Sequence, residues 1–131
     1  MLKQRTIKQS VHAIGIGVHS GEKVRMTLRP AEANTGIAFL RSDVNSAHNK
    51  VPALADYVAD TTLSTSIADG PVQVATVEHV MSALWGLGID NLLIELSSEE
   101  VPIMDGSAAP FINMINSVGI VEQPAPKQFL R

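Results

Sequence analysis

The sequence predicts an α+β fold, a two-layer sandwich in which one mixed, mostly antiparallel sheet carries two helices on one face. Short segments typical of strands, one of them with clear polar–apolar alternation, occupy much of positions 3–75, and apolar residues at helical spacing follow around positions 76–88 and 107–119. Of the 131 residues, 45% are hydrophobic and 18% are charged, which is typical of one domain with a packed core.

Composition excludes several function classes. A net charge of −3 does not favour binding to nucleic acid, and the absence of cysteine excludes disulfides and thiolate metal sites. We therefore expect a reducing, cytoplasmic compartment. Lys3, Arg5 and Lys8 are not followed by an apolar run, so we expect no signal peptide, and no stretch has the roughly 18 apolar residues of a membrane span.

The first strands come from period-two alternation. We expect a strand ending at Ile14 and another over residues 23–29, which places Val24, Met26 and Leu28 in the core. Pro30 should end that strand, and residues 37–40 should form its hairpin partner. The intervening glycines at 15, 17 and 21 do not match the spacing of a nucleotide-binding loop, so we expect them to serve tight turns.

Later strands are expected over residues 60–67 and 72–74, and residues 91–96 should form the central strand because they are the most apolar. Residues 101–104 read as a short extended piece. Pro-containing residues 122–127 have the composition of a linker. We therefore expect a domain over residues 1–121 and a linker over 122–131 that leads toward an absent second domain.

Two helices complete the expected fold. Thr76 should cap the first helix and glycines 86 and 88 should end it. Ser107 should cap the second helix, which should end at Gly119. The expected buried stripes are Val77, Val80, Met81, Leu84 and Leu87 in the first helix, and Ala108, Phe111, Ile112, Ile115 and Val118 in the second.

Glu78 and His79 are the candidate chemical residues, because they lie off the buried stripe in the first turn of a helix. The small residues Ser82, Ala83 and Gly86 share their side, so a ligand could approach. The helix dipole favours Glu78 as a carboxylate and His79 as a neutral imidazole, which can bind a metal beside a proton acceptor. The alternative is a solvated first turn with two ordinary polar residues.

Several motifs follow one another along nearly the whole chain. They are Gln4-Arg5-Thr6, Gly15-Ile16-Gly17-Val18-His19-Ser20-Gly21, Thr27-Leu28-Arg29-Pro30, Asn34-Thr35-Gly36, Thr76-Val77-Glu78-His79, Gly86-Leu87-Gly88-Ile89-Asp90-Asn91 and Val101-Pro102-Ile103-Met104-Asp105-Gly106-Ser107. Taken together in this order, they resemble the N-terminal domain of the UDP-3-O-acyl-N-acetylglucosamine deacetylase family.

The resemblance implies a zinc amidase of lipid A synthesis in Gram-negative bacteria, built from two similar α+β domains whose helices pack between two sheets. It implies His79 as a zinc ligand and Glu78 as the general base. It implies that His19, Thr62, Leu63 and Ser64 line the substrate site. The other zinc ligands would belong to the second domain, so we expect the 131 residues alone to be inactive.

Two other readings stay open. The chain could be a short paralogue that acts as a binding or regulatory module without catalysis. It could also be a structural domain that self-associates through the exposed helix face around Ser82, Ala83 and Gly86.

Overall fold

The computed structural model describes residues 2–53, 58–60, 66–69 and 72–128, which contain ten strands and two helices. This composition confirms the predicted α+β class. In chain order the elements are β1 Lys3–Ile7, β2 Val11–Ile16, β3 Lys23–Pro30, β4 Ile37–Arg41, β5 Lys50–Pro52, β6 Val58–Asp60, β7 Ser66–Asp69, β8 Val72–Ala75, α1 Glu78–Leu87, β9 Leu92–Leu96, α2 Ala109–Val118 and β10 Ile120–Pro126.

The largest sheet has five strands in the order β2-β3-β9-β4-β5, and it is mixed because β4 runs parallel to β9. The predicted central position of β9 is confirmed. Leu92, Ile94 and Leu96 of this strand are buried. Two smaller antiparallel sheets accompany it, β1 with β10 and β6-β7-β8. The described strands thus form three sheets, and not the single sheet that the alternation predicted.

The predicted hairpin of residues 23–40 is wrong, because β9 lies between β3 and β4. Asn34 and Gly36, with φ angles of 69° and 75°, do turn the chain between the two strands. Turn residues mark where a chain bends, but they do not specify which strand becomes its neighbour. The apolar strand β9 takes the middle place because that position buries both of its edges.

Both predicted helical stripes are confirmed in their main members. Val80 and Leu84 of α1 are fully buried, as are Phe111 and Ile115 of α2 within about 1%. These side chains join the inward residues of the five-stranded sheet in one hydrophobic cluster. Gly88 ends α1 in the left-handed conformation, as expected of a helix C-cap. The shared core therefore fixes the side on which α1 presents its polar first turn.

Thr76 does not cap α1, so that prediction is wrong. The N-cap is Val77, and the Thr76 hydroxyl instead donates to a carboxylate oxygen of Glu100 at 3.0 Å. Thr76 has a φ of 63°, a conformation that is uncommon for a β-branched residue. Ser107 also differs from the expected N-cap. It precedes the N-cap Ala108, although its hydroxyl accepts the N–H of Ala109 at 3.2 Å.

Residues 122–126 belong to β10 and not to a linker, because β10 pairs antiparallel with β1. The prolines that suggested a linker fit here, since a two-stranded sheet leaves each strand an edge where no backbone N–H is required. Just beyond β10, Lys127 donates to the carbonyl of Gly88 at 3.0 Å and to Asp90 at 2.6 Å. The end of β10 is thus fastened to the C-terminal end of α1, where a cation is favourable. The predicted boundary between residues 121 and 122 therefore falls inside β10, while a second domain stays a prediction.

A buried amide network also fastens β10. The Asn91 side chain is 1% exposed, and its amide donates to Gln4 at 2.8 Å and to Gln123 at 2.7 Å. Its oxygen accepts the N–H of Gly36 at 2.8 Å. Truncation of Asn91 would remove the partner of the Gly36 N–H and of the Gln123 side-chain oxygen, whereas the Gln4 oxygen would keep the N–H of Asn34.

We predict that Asn91→Ala lowers the free energy of unfolding by about 2 kcal/mol, because it removes three hydrogen bonds of a buried side chain and leaves the Gly36 N–H and the Gln123 oxygen without their partner. Urea unfolding of the 131-residue chain measures this change. Gln128→Ala is the matched control, because the exposed Gln128 amide makes one long hydrogen bond of 3.3 Å, and its loss should have almost no effect. Equal losses in the two variants would contradict a structural role for the network.

Candidate active site

Glu78 and His79 lie in the first turn of α1, where both side chains are partly exposed. They lie off the buried stripe, as the sequence predicted. The Oε1 atom of Glu78 is inaccessible to solvent and has no hydrogen-bond partner, and it is the one buried side-chain atom of this kind in the described residues. A buried polar atom without a partner is unfavourable, and it often marks a place where a ligand, ion or water binds.

The neighbouring face of α1 is only partly as expected. Ser82 and Gly86 are exposed, and a Cβ added at Gly86 would meet no atom within 4 Å. Ala83 instead belongs to the core and is fully buried. The α1 surface beside the pair is therefore open to approach from solvent at Ser82 and Gly86, while Ala83 helps to fix the helix.

The turn at Asp105 lies near His79. The hydroxyl and the backbone N–H of Ser107 donate to Asp105 at 2.6 and 2.9 Å and hold the pKa of its carboxyl below the ordinary value. Electrostatic attraction to His79 lowers this pKa further. The sequence marked Asp105 only as a turn residue, so its electrostatic interaction with His79 is a finding of the fold.

Glu100 is the functional candidate that the sequence reasoning missed. Its side chain is 1% exposed, and its carboxylate accepts hydrogen bonds from three donors. The backbone N–H of His19 donates at 3.0 Å, that of Ser20 at 3.1 Å and the hydroxyl of Thr76 at 3.0 Å. One buried carboxylate thus connects the predicted site residue His19 with the segment that leads into α1.

Two glycines allow this close approach. A Cβ at Gly17 would collide with the Glu100 carboxylate, and one at Gly15 would lie 2.8 Å from the Cβ of Pro102. The expectation that tight turns require all three glycines is confirmed only at Gly21, which has a φ of 72°. Gly15 and Gly17 leave room for the segment that carries Glu100.

Burial alone would raise the pKa of Glu100, but the hydrogen bonds from His19, Ser20 and Thr76 outweigh it, and the pKa lies below its ordinary value of 4.5. A carboxyl with a lower pKa in the folded state stabilises the fold above the unfolded-state pKa. That stabilisation disappears as the pH falls through the lower, folded-state pKa.

We therefore predict that the free energy of unfolding decreases on acidification below about pH 5, and that Glu100→Gln removes part of this decrease. Urea unfolding over a series of pH values measures it. Glu99→Gln is the matched control, since the adjacent Glu99 side chain is exposed and should leave the pH dependence unchanged. An identical acid response in the wild type and in Glu100→Gln would exclude Glu100 as its source.

The other predicted lining residues, Thr62, Leu63 and Ser64, lie outside the described residues. His48 is exposed, as expected for a loop histidine, and its Nδ1 lies 3.5 Å from Asp69. In the described part of the chain, no three side chains of His, Asp or Glu come together as a complete metal site. Neither helix there has the length and the apolar run needed to cross a membrane.

The chain is similar to known proteins over almost its whole length. A family model described as UDP-3-O-acyl N-acetylglycosamine deacetylase matches residues 4–131. Relatives named UDP-3-O-acyl-N-acetylglucosamine deacetylase include those of Chromohalobacter salexigens, 58% identical, Coxiella burnetii, 57%, and Pseudoalteromonas atlantica, 61%. Each match covers 100% of this chain and 43% of the relative.

These relatives are named as deacetylases, a class of hydrolases. The chain belongs to the UDP-3-O-acyl N-acetylglycosamine deacetylase family, with a match that leaves out only its first three residues. It spans less than half the length of the curated relatives it matches.

Proposed function

We propose that this chain provides the N-terminal part of a zinc-dependent deacetylase that removes the N-acetyl group from UDP-3-O-acyl-N-acetylglucosamine in lipid A synthesis. The observation that carries the proposal is the unpartnered, buried Oε1 of Glu78 beside His79, in a chain of this family. The chain spans 43% of its relatives, which supports the proposal that the complete site would include residues beyond it.

The donor chemistry of the site fits a zinc ion. A neutral imidazole is a common zinc ligand, so His79 would hold the metal. A catalytic zinc usually has three protein ligands, and no group of three such residues occurs in the described part of the chain, so further ligands from outside it would complete the site. When bound, zinc would polarise the acetamide carbonyl and favour deprotonation of water.

Glu78 would act as the general base. Its Oε1 is an acceptor without a hydrogen-bond partner in the described residues, and it would take a proton from the water that attacks the carbonyl carbon. The carbon–nitrogen bond then breaks, and the same proton can pass to the departing amine. The products are acetic acid, which ionises to acetate, and the free amine of the sugar, so both hydrogens of the water are accounted for.

His19 would line the substrate side of the site, since the hydrogen bonds of its turn to Glu100 connect it with the segment before α1. Thr62, Leu63 and Ser64 remain proposed lining residues from the family resemblance alone. The UDP-sugar is the proposed substrate, and we expect the acyl chain to be selected mainly by residues outside this chain.

Complementation tests the proposal. The 131-residue chain is mixed with, or fused to, the C-terminal part of the Chromohalobacter salexigens relative that lies beyond the match. Zinc content and acetate release are then measured. We expect neither part alone to release acetate and the combination to bind zinc and release it. A folded, zinc-loaded combination that releases no acetate would contradict the catalytic function.

A binding role without catalysis is the second candidate, and the exposure of Trp85 favours it. This side chain is 71% exposed on α1, beside the open position at Gly86. A large aromatic residue on an open helix face favours contact with another protein surface. Proposed partners are the rest of the deacetylase or, in its absence, a second copy of this chain. Sedimentation of the 131-residue chain with and without Trp85→Ala distinguishes self-association from a monomer.

A further inference from the structure

One extended segment, residues 99–103, joins the two parts of the chain that lead to the candidate active site. At one end, the N–H of Ala75 donates to Glu99 at 2.7 Å and the N–H of Val101 donates back to Ala75 at 3.0 Å. At the other end, the N–H of Ile103 donates to Ile16 at 2.9 Å. The segment therefore holds the end of β8, just before α1, beside the end of β2, just before the His19 turn.

The Glu100 side chain makes the same connection in the interior. Its carboxylate accepts from the backbone of His19 and Ser20 on one side and from the Thr76 hydroxyl on the other. It forms no ion pair in the described part of the chain, so these hydrogen bonds alone compensate its burial. A neutral or apolar residue would usually stabilise a core as well as a buried carboxylate does, which argues that Glu100 serves a more specific purpose.

The backbone around Glu100 supports a positional purpose. Thr76 occupies a left-handed conformation two residues before Glu78, and its hydroxyl donates a hydrogen bond to Glu100. Unusual backbone conformations concentrate at functional sites. On the opposite side, Gly17 lacks the Cβ that would displace the carboxylate. Thr76 thus offers a hydrogen-bond donor to the Glu100 carboxylate, and Gly17 leaves the space that it occupies.

We infer that Glu100 is a positioning residue of the deacetylase: it holds the His19 turn at a fixed distance from the Glu78–His79 pair by hydrogen bonding to both sides of the site. This inference depends on the proposed function. Glu100 touches no reacting atom itself and acts through His19. A positional error of about 1 Å can slow an enzyme by about 100-fold, so losing the connection should be measurable in the turnover rate.

A double-mutant cycle tests the inference in the chimera of this chain with the C-terminal part of the Chromohalobacter salexigens relative. Glu100→Gln retains the shape of the side chain but offers only one acceptor oxygen to three donors. We expect it to lower kcat by about 10- to 100-fold with zinc content unchanged. In a His19→Ala background the same substitution should lower kcat by less than about threefold, because the residue being positioned is gone.

Asp90→Asn is the matched control, a carboxylate-to-amide change at the opposite end of α1, where Asp90 accepts from Arg5 and Lys127. It should reduce thermal stability but leave kcat unchanged in both backgrounds. If Glu100→Gln does not fold, Glu100→Asp, which shortens the side chain but keeps its charge, replaces it in the cycle.

Every outcome of the double-mutant cycle either supports or overturns the positioning role of Glu100. An equal fold-loss of kcat from the Glu100 substitution with and without His19, or no loss at all, would overturn the positioning role. Strong coupling between the two residues supports it. Full activity in Glu78→Gln and His79→Ala chimeras would overturn the proposed function and this inference together. Inactive Glu78→Gln and His79→Ala chimeras combined with additive Glu100 and His19 effects would overturn the positioning role alone.

Discussion

Glu78→Gln should lower the kcat of the complemented enzyme by about 100- to 10,000-fold while leaving its zinc content unchanged. The substitution preserves the size of the side chain and removes its basicity. An amide cannot take a proton from water, and its NH2 group would place donors where the carboxylate offers the unpartnered acceptor Oε1. The expected loss falls on kcat because proton transfer belongs to the chemical step and not to substrate binding.

His79→Ala should give the complementary result, a lower affinity for zinc together with the loss of activity, because it removes a metal ligand. Zinc titration of both variants separates the two roles. Glu122→Gln is the matched control for the carboxylate change, since this side chain is exposed on β10 and should retain full activity and metal. A Glu78→Gln enzyme with undiminished kcat would exclude Glu78 as the base.

Local sequence patterns predicted the helices well. The spacing of Val80, Met81 and Leu84 identified the buried side of α1, and therefore the side that remains for Glu78 and His79. Helical periodicity is a property of neighbouring turns, so it can be read without knowledge of the rest of the fold. Of the two glycines expected to end α1, Gly88 does so, whereas Gly86 lies inside the helix.

Contacts between distant segments could not be read in this way. The order of β3, β9 and β4 depends on which strand gains most by central burial, and no turn motif encodes that competition. In the sequence, Glu100 is only a charged residue that precedes the short extended segment 101–104. Its role as acceptor depends on Gly17 and Thr76, which lie far away in sequence. A buried carboxylate of this kind is found from its three-dimensional partners, and not from its own spacing.

Burial predicts which aromatic side chain contributes most to the free energy of unfolding. Phe111 is 1% exposed and packs from α2 into the core that it shares with α1, whereas Trp85 is 71% exposed on the outer side of α1. Phe111→Ala should therefore lower the free energy of unfolding by about 3–5 kcal/mol, through lost burial and the cavity left behind. Urea unfolding of the 131-residue chain measures the loss.

Trp85→Ala is the control, because it removes an even larger aromatic side chain that the fold does not bury, and it should change the free energy of unfolding by less than about 0.5 kcal/mol. Should Phe111→Ala fail to fold, Phe111→Leu, expected to lose less than about 1.5 kcal/mol, keeps the comparison measurable. A greater loss from Trp85 than from Phe111 would mean that the outer face of α1 contributes to the core. In that case the face would not be free for a partner, and the orientation assigned to the Glu78–His79 turn would be wrong as well.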